Sequence, residues 1–259
     1  VNRGLLLFAF VASTASAWGP AGHEITARIA ERYLEPRVKE RIGVILGGNS
    51  LASVASWADE IRGSRRNTAP WHYINSPISR PDVVLSRDCK DGNCVVVKLA
   101  EFAAELRDPS TTERRRREAL MFVVHFAGDL HQPLHCSDNG DQGGNKVEVT
   151  YFGKRSNLHA VWDSGILGRL GTPGDLLPKL VEEITSKKAA EWRRGTPETW
   201  AREAHDAARK VAYRRLPRSR AGTVIVLAAP YARFGEPLVR VQLEKAGVRM
   251  AMMLNEALR

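Results

Sequence analysis

The sequence predicts a single, mainly α-helical domain carrying one small β-hairpin. Three observations support this: apolar residues recur at helical spacing along most of the chain, one stretch alternates like a strand, and no repeat or low-complexity linker divides it. A chain of 259 residues is long enough to bury a full core as one domain.

The N-terminal stretch is expected to lie outside that domain. Arg3, the apolar run Leu5 to Ala12 and the small residues Ala15-Ser16-Ala17 form the n-region, h-region and A-x-A end of a secretory signal peptide, too short to span a membrane. Residues 1–17 are therefore expected to be removed, leaving residues 18–259 as a domain exported to the periplasm or beyond. HEITARIAERYL then places Ile25, Ile29 and Tyr33 on one helical side. The stretch from Val95 spaces Leu99, Phe102, Ala103 and Leu106 likewise, and Glu113 to Leu130 is strongly helical, its Arg114–Arg117 run reading as an exposed start. Further helical patterns cover 176–187, 198–213 and 238–258, and the glycine clusters at 47–50, 140–144 and 171–174 read as loops. Only KVEVTYF, Lys146 to Phe152, alternates, and it predicts the hairpin. The most apolar later stretch, Thr223 to Ala229, is far too brief to cross a bilayer. Cys89 and Cys94 bracket the loop KDGN and could close a small disulfide in an oxidising compartment, while Cys136 is left over.

The chemistry concentrates in HFAGDLHQPLH, residues 125–135. His125 and Asp129 are four apart, so both leave one helix face, and Pro133 then breaks the helix so that His135 can swing back toward that face. His159 and Asp163 in NLHAVWD repeat the spacing. Burying so many polar groups without partners would cost on the order of several kcal/mol, whereas imidazoles and carboxylates converging on one spot suit zinc. Upstream, His23, Asp59 and His72 sit in apolar or aromatic surroundings. Eight such side chains exceed one tetrahedral ion and suit two or three. The formal charge of +10 and a pI near 9.8 fit a polyanionic partner such as nucleic acid or anionic lipid headgroups, and equally a merely solvated basic surface.

The series Trp18…His23, SWAD-x-x-R, WHY, GD-x-HQPLH, GGN and NLH-x-VWD resembles the zinc-dependent single-strand-specific nucleases of the nuclease P-one and nuclease S-one type, a family with bacterial members. The resemblance runs from Trp18 to the terminal helix. It implies the helical fold shared with zinc phospholipase C, and three zinc ions. Asp59, His72, His125 and Asp129 would hold the first; His135, His159 and Asp163 the second. The third would take the α-amine and carbonyl oxygen of Trp18, the ring of His23, and Asp129 as a bridge. An α-amine, with a pKa of about 7.7–8.0, can offer zinc its unprotonated form, but only once the signal peptide has gone. His131 lies off the His125/Asp129 face and is expected to pack or support rather than ligate.

The resemblance further implies an endonuclease that cuts single-stranded DNA and RNA to 5′-phosphorylated products by a zinc-bound hydroxide, with 3′-nucleotidase activity on nucleotides. Asp59 would orient or deprotonate the nucleophile, Arg62 clamp the phosphoryl oxygens and Asn145 stand near the scissile phosphate. Tyr73 would stack on the base 5′ to the cut, which requires an unpaired base. Asn75 stands where relatives often carry an aspartate on the base edge, and its amide both donates and accepts. A monomer without membrane attachment is expected. The rivals are zinc phospholipase C, which leaves a longer gap after its N-terminal Trp and ends in His-x-x-x-Glu, and a zinc-storage protein, which would need neither Arg62 nor Tyr73.

Overall fold

A computed structural model of the chain describes residues 18–218 and 223–259. The signal peptide expected over residues 1–17 lies outside the described residues. The expected fold is borne out: helices dominate, and among the described residues there is one small sheet. Its hairpin joins β1, Glu148–Tyr151, to β2, Lys154–Asn157, in antiparallel register with Val149 opposite Ser156. A third strand, β3 (Ile225–Leu227), adds in parallel to β1. Sequence periodicity did not announce that strand, because a three-residue apolar run gains its partner only from a remote element.

Two apolar clusters fill the interior. One gathers Leu99, Phe102, Leu120, Phe122 and Phe126 from the helices Val95–Arg107 and Glu113–Asp129. The other gathers Trp18, Ile25, Trp162, Leu176 and Tyr231 around the sheet and the helix Pro20–Tyr33. The terminal helix, Ala229–Leu258, serves both, giving Val239, Leu243 and Val248 to one and Met250, Leu254 and Leu258 to the other. It starts well before the 238–258 pattern, since Pro230 fits its first turn and Pro237 is accommodated within it. The first and last helices meet at Gly247, where an added Cβ would lie 2.5 Å from Ile29. Only glycine permits that approach.

The other predicted helices form with breaks. The 176–187 pattern resolves into Pro173–Glu183 and Ser186–Trp192, the second capped by the Thr185 hydroxyl. The 198–213 pattern is an α-helix to Ala207 and a π-turn to Tyr213. The helix Glu113–Asp129 is capped by Thr112, whose hydroxyl accepts from the Arg115 N–H, and every residue from Ala119 to Asp129 is buried. Its last turns have no polar face, so His125 and Asp129 must find partners inside the protein. Cys89 and Cys94 form the anticipated disulfide. Cys136 is a buried thiol that donates to the Leu130 carbonyl. No described helix is long and apolar enough to cross a membrane.

One buried charge on the terminal helix has a measurable consequence. Glu244 is fully buried, neither of its oxygens meets a hydrogen-bond donor, and Lys188 Nζ stays 3.9 Å away. Burial, reinforced by the neighbouring Glu183 carboxyl, pushes Glu244 up to about 7. The folded state thus binds this proton more tightly than the unfolded chain. The associated stability is complete below the ordinary glutamate value and is lost as pH rises through about 7. Glu244→Gln is expected to stabilise the protein by about 2 kcal/mol at pH 8 and to change little near pH 4. Urea unfolding at both pH values checks this; a shift of equal size at both would remove the titration as its cause.

Candidate metal centre

The candidate ligands arrive on segments drawn from both apolar clusters. His23 projects from the first helix, held close by Gly128, where a Cβ would come within 2.8 Å of His23 Nδ1. Asp59 lies in the short helix Trp57–Ile61, and His72 ends the tight 3₁₀ segment Arg66–His72. His125 and Asp129 occupy the last turns of their helix. Pro133 starts a separate turn, Pro133–Cys136, that carries His135 back, as its sequence position predicts. His159 sits in Leu158–Ala160, and Asp163 in the π-turn Val161–Gly165 that follows.

These side chains form three adjoining groups. In the first, His72 Nδ1 is 3.2 Å from His125 Nε2 and 3.0 Å from Asp129 Oδ2, with Asp59 Oδ1 at 3.6 Å. In the second, His135 Nε2 is 3.2 Å from His159 Nε2, and Asp163 Oδ2 is 3.4 Å from the latter. In the third, His23 Nε2 faces Asp129 Oδ1 at 3.3 Å while its ring stacks on His125 at 3.9 Å between centroids. Asp129 thus turns one oxygen to each of two groups. Trp18 is fully buried beside them, and the Gly19 N–H donates to the Asp163 carbonyl at 2.9 Å.

The hydrogen bonds behind the rings define what the groups can hold. His125 Nδ1 meets the Ala55 carbonyl, His135 Nδ1 the His72 carbonyl and His159 Nδ1 the Gly143 carbonyl, each at 2.7 Å. A carbonyl can only accept, so each Nδ1 carries a proton, and in the neutral rings of His135 and His159 each Nε2 presents a lone pair. His135 and His159 therefore aim two lone pairs at one another across 3.2 Å. Two acceptors that close repel unless a cation lies between them. His23 Nδ1 and Asp129 Oδ1 are likewise buried without a hydrogen-bond donor or acceptor to match. The donor set of imidazole nitrogens and carboxylate oxygens fits zinc.

Electrostatics agree with that fit. Burial, helped by the nearby His125, lowers His23 to about 4, and burial with His135 lowers His159 to about 3, so both are neutral and ligand-ready at pH 7. Burial opposes charge on His125 as well, but Asp129 and Asp59 outweigh it and raise the ring to about 9. Asp163 is pushed well above the ordinary carboxyl range by burial, and Gln132 partly offsets this by donating to it. A cation at the second group would hold Asp163 ionised.

A cleft of about 450 Å³ opens onto the groups, lined by Arg62, His72, Tyr73, Asn75, His135, Asn145 and His159 among others. Arg62 Nη1 lies 3.5 Å from Asp59 Oδ1, and Tyr73 is 38 % exposed at the cleft. Asn145 is held by two donations to the Gln142 carbonyl, at 2.8 Å from its side chain and 3.2 Å from its backbone. Gln142 adopts a left-handed conformation (φ 59°) to present that carbonyl. The sequence reading missed Gln132, Asp138 and Gln142. Gln142 lies in the glycine cluster 140–144 read only as a loop, Asp138 stands just before it, and nothing in the spacing of HQPLH marks Gln132. His131 stands apart from all three groups. It bonds the Ala127 carbonyl and Arg249, 2.8 and 3.0 Å away, consistent with a packing residue. A separate cavity of about 340 Å³ near Trp71 has its charges paired, as in Arg65–Glu118 at 3.0 Å and Arg115–Glu105 at 2.7 Å.

The chain is 30 % identical to Endonuclease 2 of Arabidopsis thaliana over 95 % of its length and 92 % of that protein. It is 32 % identical to Endonuclease 4 of the same plant, over 93 % and 89 %. With Nuclease P1 of Penicillium citrinum it shares 38 % identity across 57 % of each chain. The S1/P1 Nuclease family model matches residues 18–259, which takes in every candidate ligand. The chain belongs to the S1/P1 nuclease family and is a metal-dependent, phosphodiester-hydrolysing nuclease.

Proposed function

We propose that this chain is an exported, monomeric endonuclease that uses three zinc ions to cut single-stranded DNA and RNA to 5′-phosphorylated products, with 3′-nucleotidase activity on nucleotides. The observation that supports it best is the pair of opposed lone pairs on His135 and His159, adjoining a carboxylate, Asp129, that faces two further groups. In this reading Asp59, His72, His125 and Asp129 hold one zinc, His135, His159 and Asp163 a second, and Trp18, His23 and Asp129 a third. Zinc supplies Lewis acidity and lowers the pKa of water from about 15.7 to about 7.

The protein's own groups do the rest. Asp59, with one oxygen toward both His72 and the cleft-lining Arg62, orients the attacking water and accepts its proton. Arg62, one helical turn on, offers a planar fork of donors to the phosphoryl oxygens as charge develops there. Asn145, clamped by Gln142, holds a fixed amide beside the phosphate. The exposed ring of Tyr73 stacks on a base, which must be unpaired to present its face, and Asn75 meets that base's edge. Export is supported by the Cys89–Cys94 disulfide, which persists in oxidising compartments.

Hydrolysis of single-stranded DNA is expected to stop on treatment with a chelator and to return with zinc, while duplex DNA and phosphatidylcholine are cut far more slowly. Activity surviving metal removal would sink the reading. Preference for phosphatidylcholine would replace it with a phospholipase.

A further inference from the structure

Gln132 occupies the break between the helix that ends at Asp129 and the turn Pro133–Cys136. It is fully buried, and both ends of its amide are engaged. Nε2 donates to Asp163 Oδ1 at 2.5 Å, and Oε1 accepts from the Leu134 N–H at 2.6 Å. The second contact fixes which end of the amide is which, because a backbone N–H can only donate. The NH₂ end must then face Asp163. One side chain thereby ties the turn that carries His135 to the carboxylate that faces His135 and His159, although these lie on separate segments. The other Asp163 oxygen, Oδ2, is left toward His159 Nε2.

We infer that Gln132 is a positioning residue for the second metal group: its N–H holds Asp163 Oδ1 so that Oδ2 remains aimed at His159 Nε2 beside the His135–His159 pair, and its carbonyl locks the His135 turn in the matching place. It does not enter the cleft and touches no substrate. The inference rests on the proposed zinc reading of that group. Groups that orient metal ligands typically change metal affinity by about 10- to 100-fold when removed.

Three variants separate positioning from simple packing. Gln132→Met keeps volume but neither hydrogen bond. Gln132→Glu keeps the acceptor for Leu134 and loses the donor to Asp163. The double variant Gln132→Glu with Asp163→Asn exchanges amide and carboxylate, restoring a donor–acceptor pair at unchanged net charge. Zinc affinity is read by competition with a chromophoric chelator at pH 8, alongside the melting temperature of metal-free and zinc-loaded protein.

Both single variants are expected to bind one zinc about 10- to 100-fold less tightly than the parent does. Their melting temperature should fall more in the loaded form than in the metal-free form, and the double variant should recover part of the affinity lost by Gln132→Glu. Unchanged zinc affinity in both single variants, or equal melting losses with and without zinc, would overturn the inference. Wild-type protein that binds no zinc would instead overturn the metal reading itself.

Discussion

Asp129→Asn is expected to cut hydrolysis of single-stranded DNA roughly a thousandfold and to deplete zinc from both groups that share this residue. The side chain is fully buried, with Oδ2 3.0 Å from His72 Nδ1 and Oδ1 3.3 Å from His23 Nε2. Asparagine keeps the shape, removes the charge and converts one acceptor oxygen into a donor. Deleting one partner of a buried charge pair costs about 3–5 kcal/mol, and about 1.4 kcal/mol is a factor of ten in rate. Metal analysis and turnover on the purified variant decide the matter. Full zinc content with intact activity would mean that Asp129 joins nothing.

The metal-stripped form of the same variant carries a pH signature. Against the pull of burial, Asp129 and Asp59 raise His125 to about 9, so in the parent the ring is charged at neutral pH. A raised folded pKa contributes stability that is complete below the ordinary histidine value and lost as pH rises through about 9. The stability gap between stripped parent and stripped Asp129→Asn should therefore be widest near pH 6 and narrow toward pH 10. Denaturant unfolding across that range measures it, and a gap that widens with pH would contradict the assignment.

A chain that keeps Ala17 ahead of Trp18 is expected to fold, hold one zinc fewer and lose at least about a hundredfold in activity relative to one beginning at Trp18. The Trp18 ring is buried in the apolar cluster whichever residue precedes it, so the fold survives. The difference is one atom's chemistry. With Ala17 attached, the Trp18 nitrogen is an amide whose lone pair is delocalised, whereas a free α-amine titrates at about 7.7–8.0 and can ligate. The backbone at this point is fixed, since the Gly19 N–H bonds the Asp163 carbonyl at 2.9 Å and a Cβ on Gly19 would collide with Ser164 Oγ. The two chains, verified by N-terminal sequencing, are compared by zinc content and turnover. Equal zinc would remove Trp18 from the set.

Much of the fold was legible because local rules agree with the tertiary outcome. Ile25 and Ile29, four apart, share a buried face, the helix read from Glu113 forms over Glu113–Asp129, and the alternation in β1 marks the hairpin. The extra strand β3 and the early start of the terminal helix were not legible. The first depends on pairing with β1 from a distant part of the chain, and the second on prolines that fit a helix only in particular places.

For the site, the sequence by itself determined which imidazoles and carboxylates can converge. His125 with Asp129, and His159 with Asp163, are fixed by a four-residue spacing, and Pro133 fixes the return of His135. These are consequences of bond geometry within one segment. Only the tertiary structure decided how the side chains are shared and oriented. Asp129 divides its oxygens between His72 and His23, His135 and His159 meet nitrogen to nitrogen at 3.2 Å, and Gln132 reaches Asp163 across thirty-one residues of sequence. The physical reason is the direction of lone pairs. Which atom of a ring or carboxylate faces a cation is set by the carbonyls and amides behind it, and those come from segments that meet only when the chain folds.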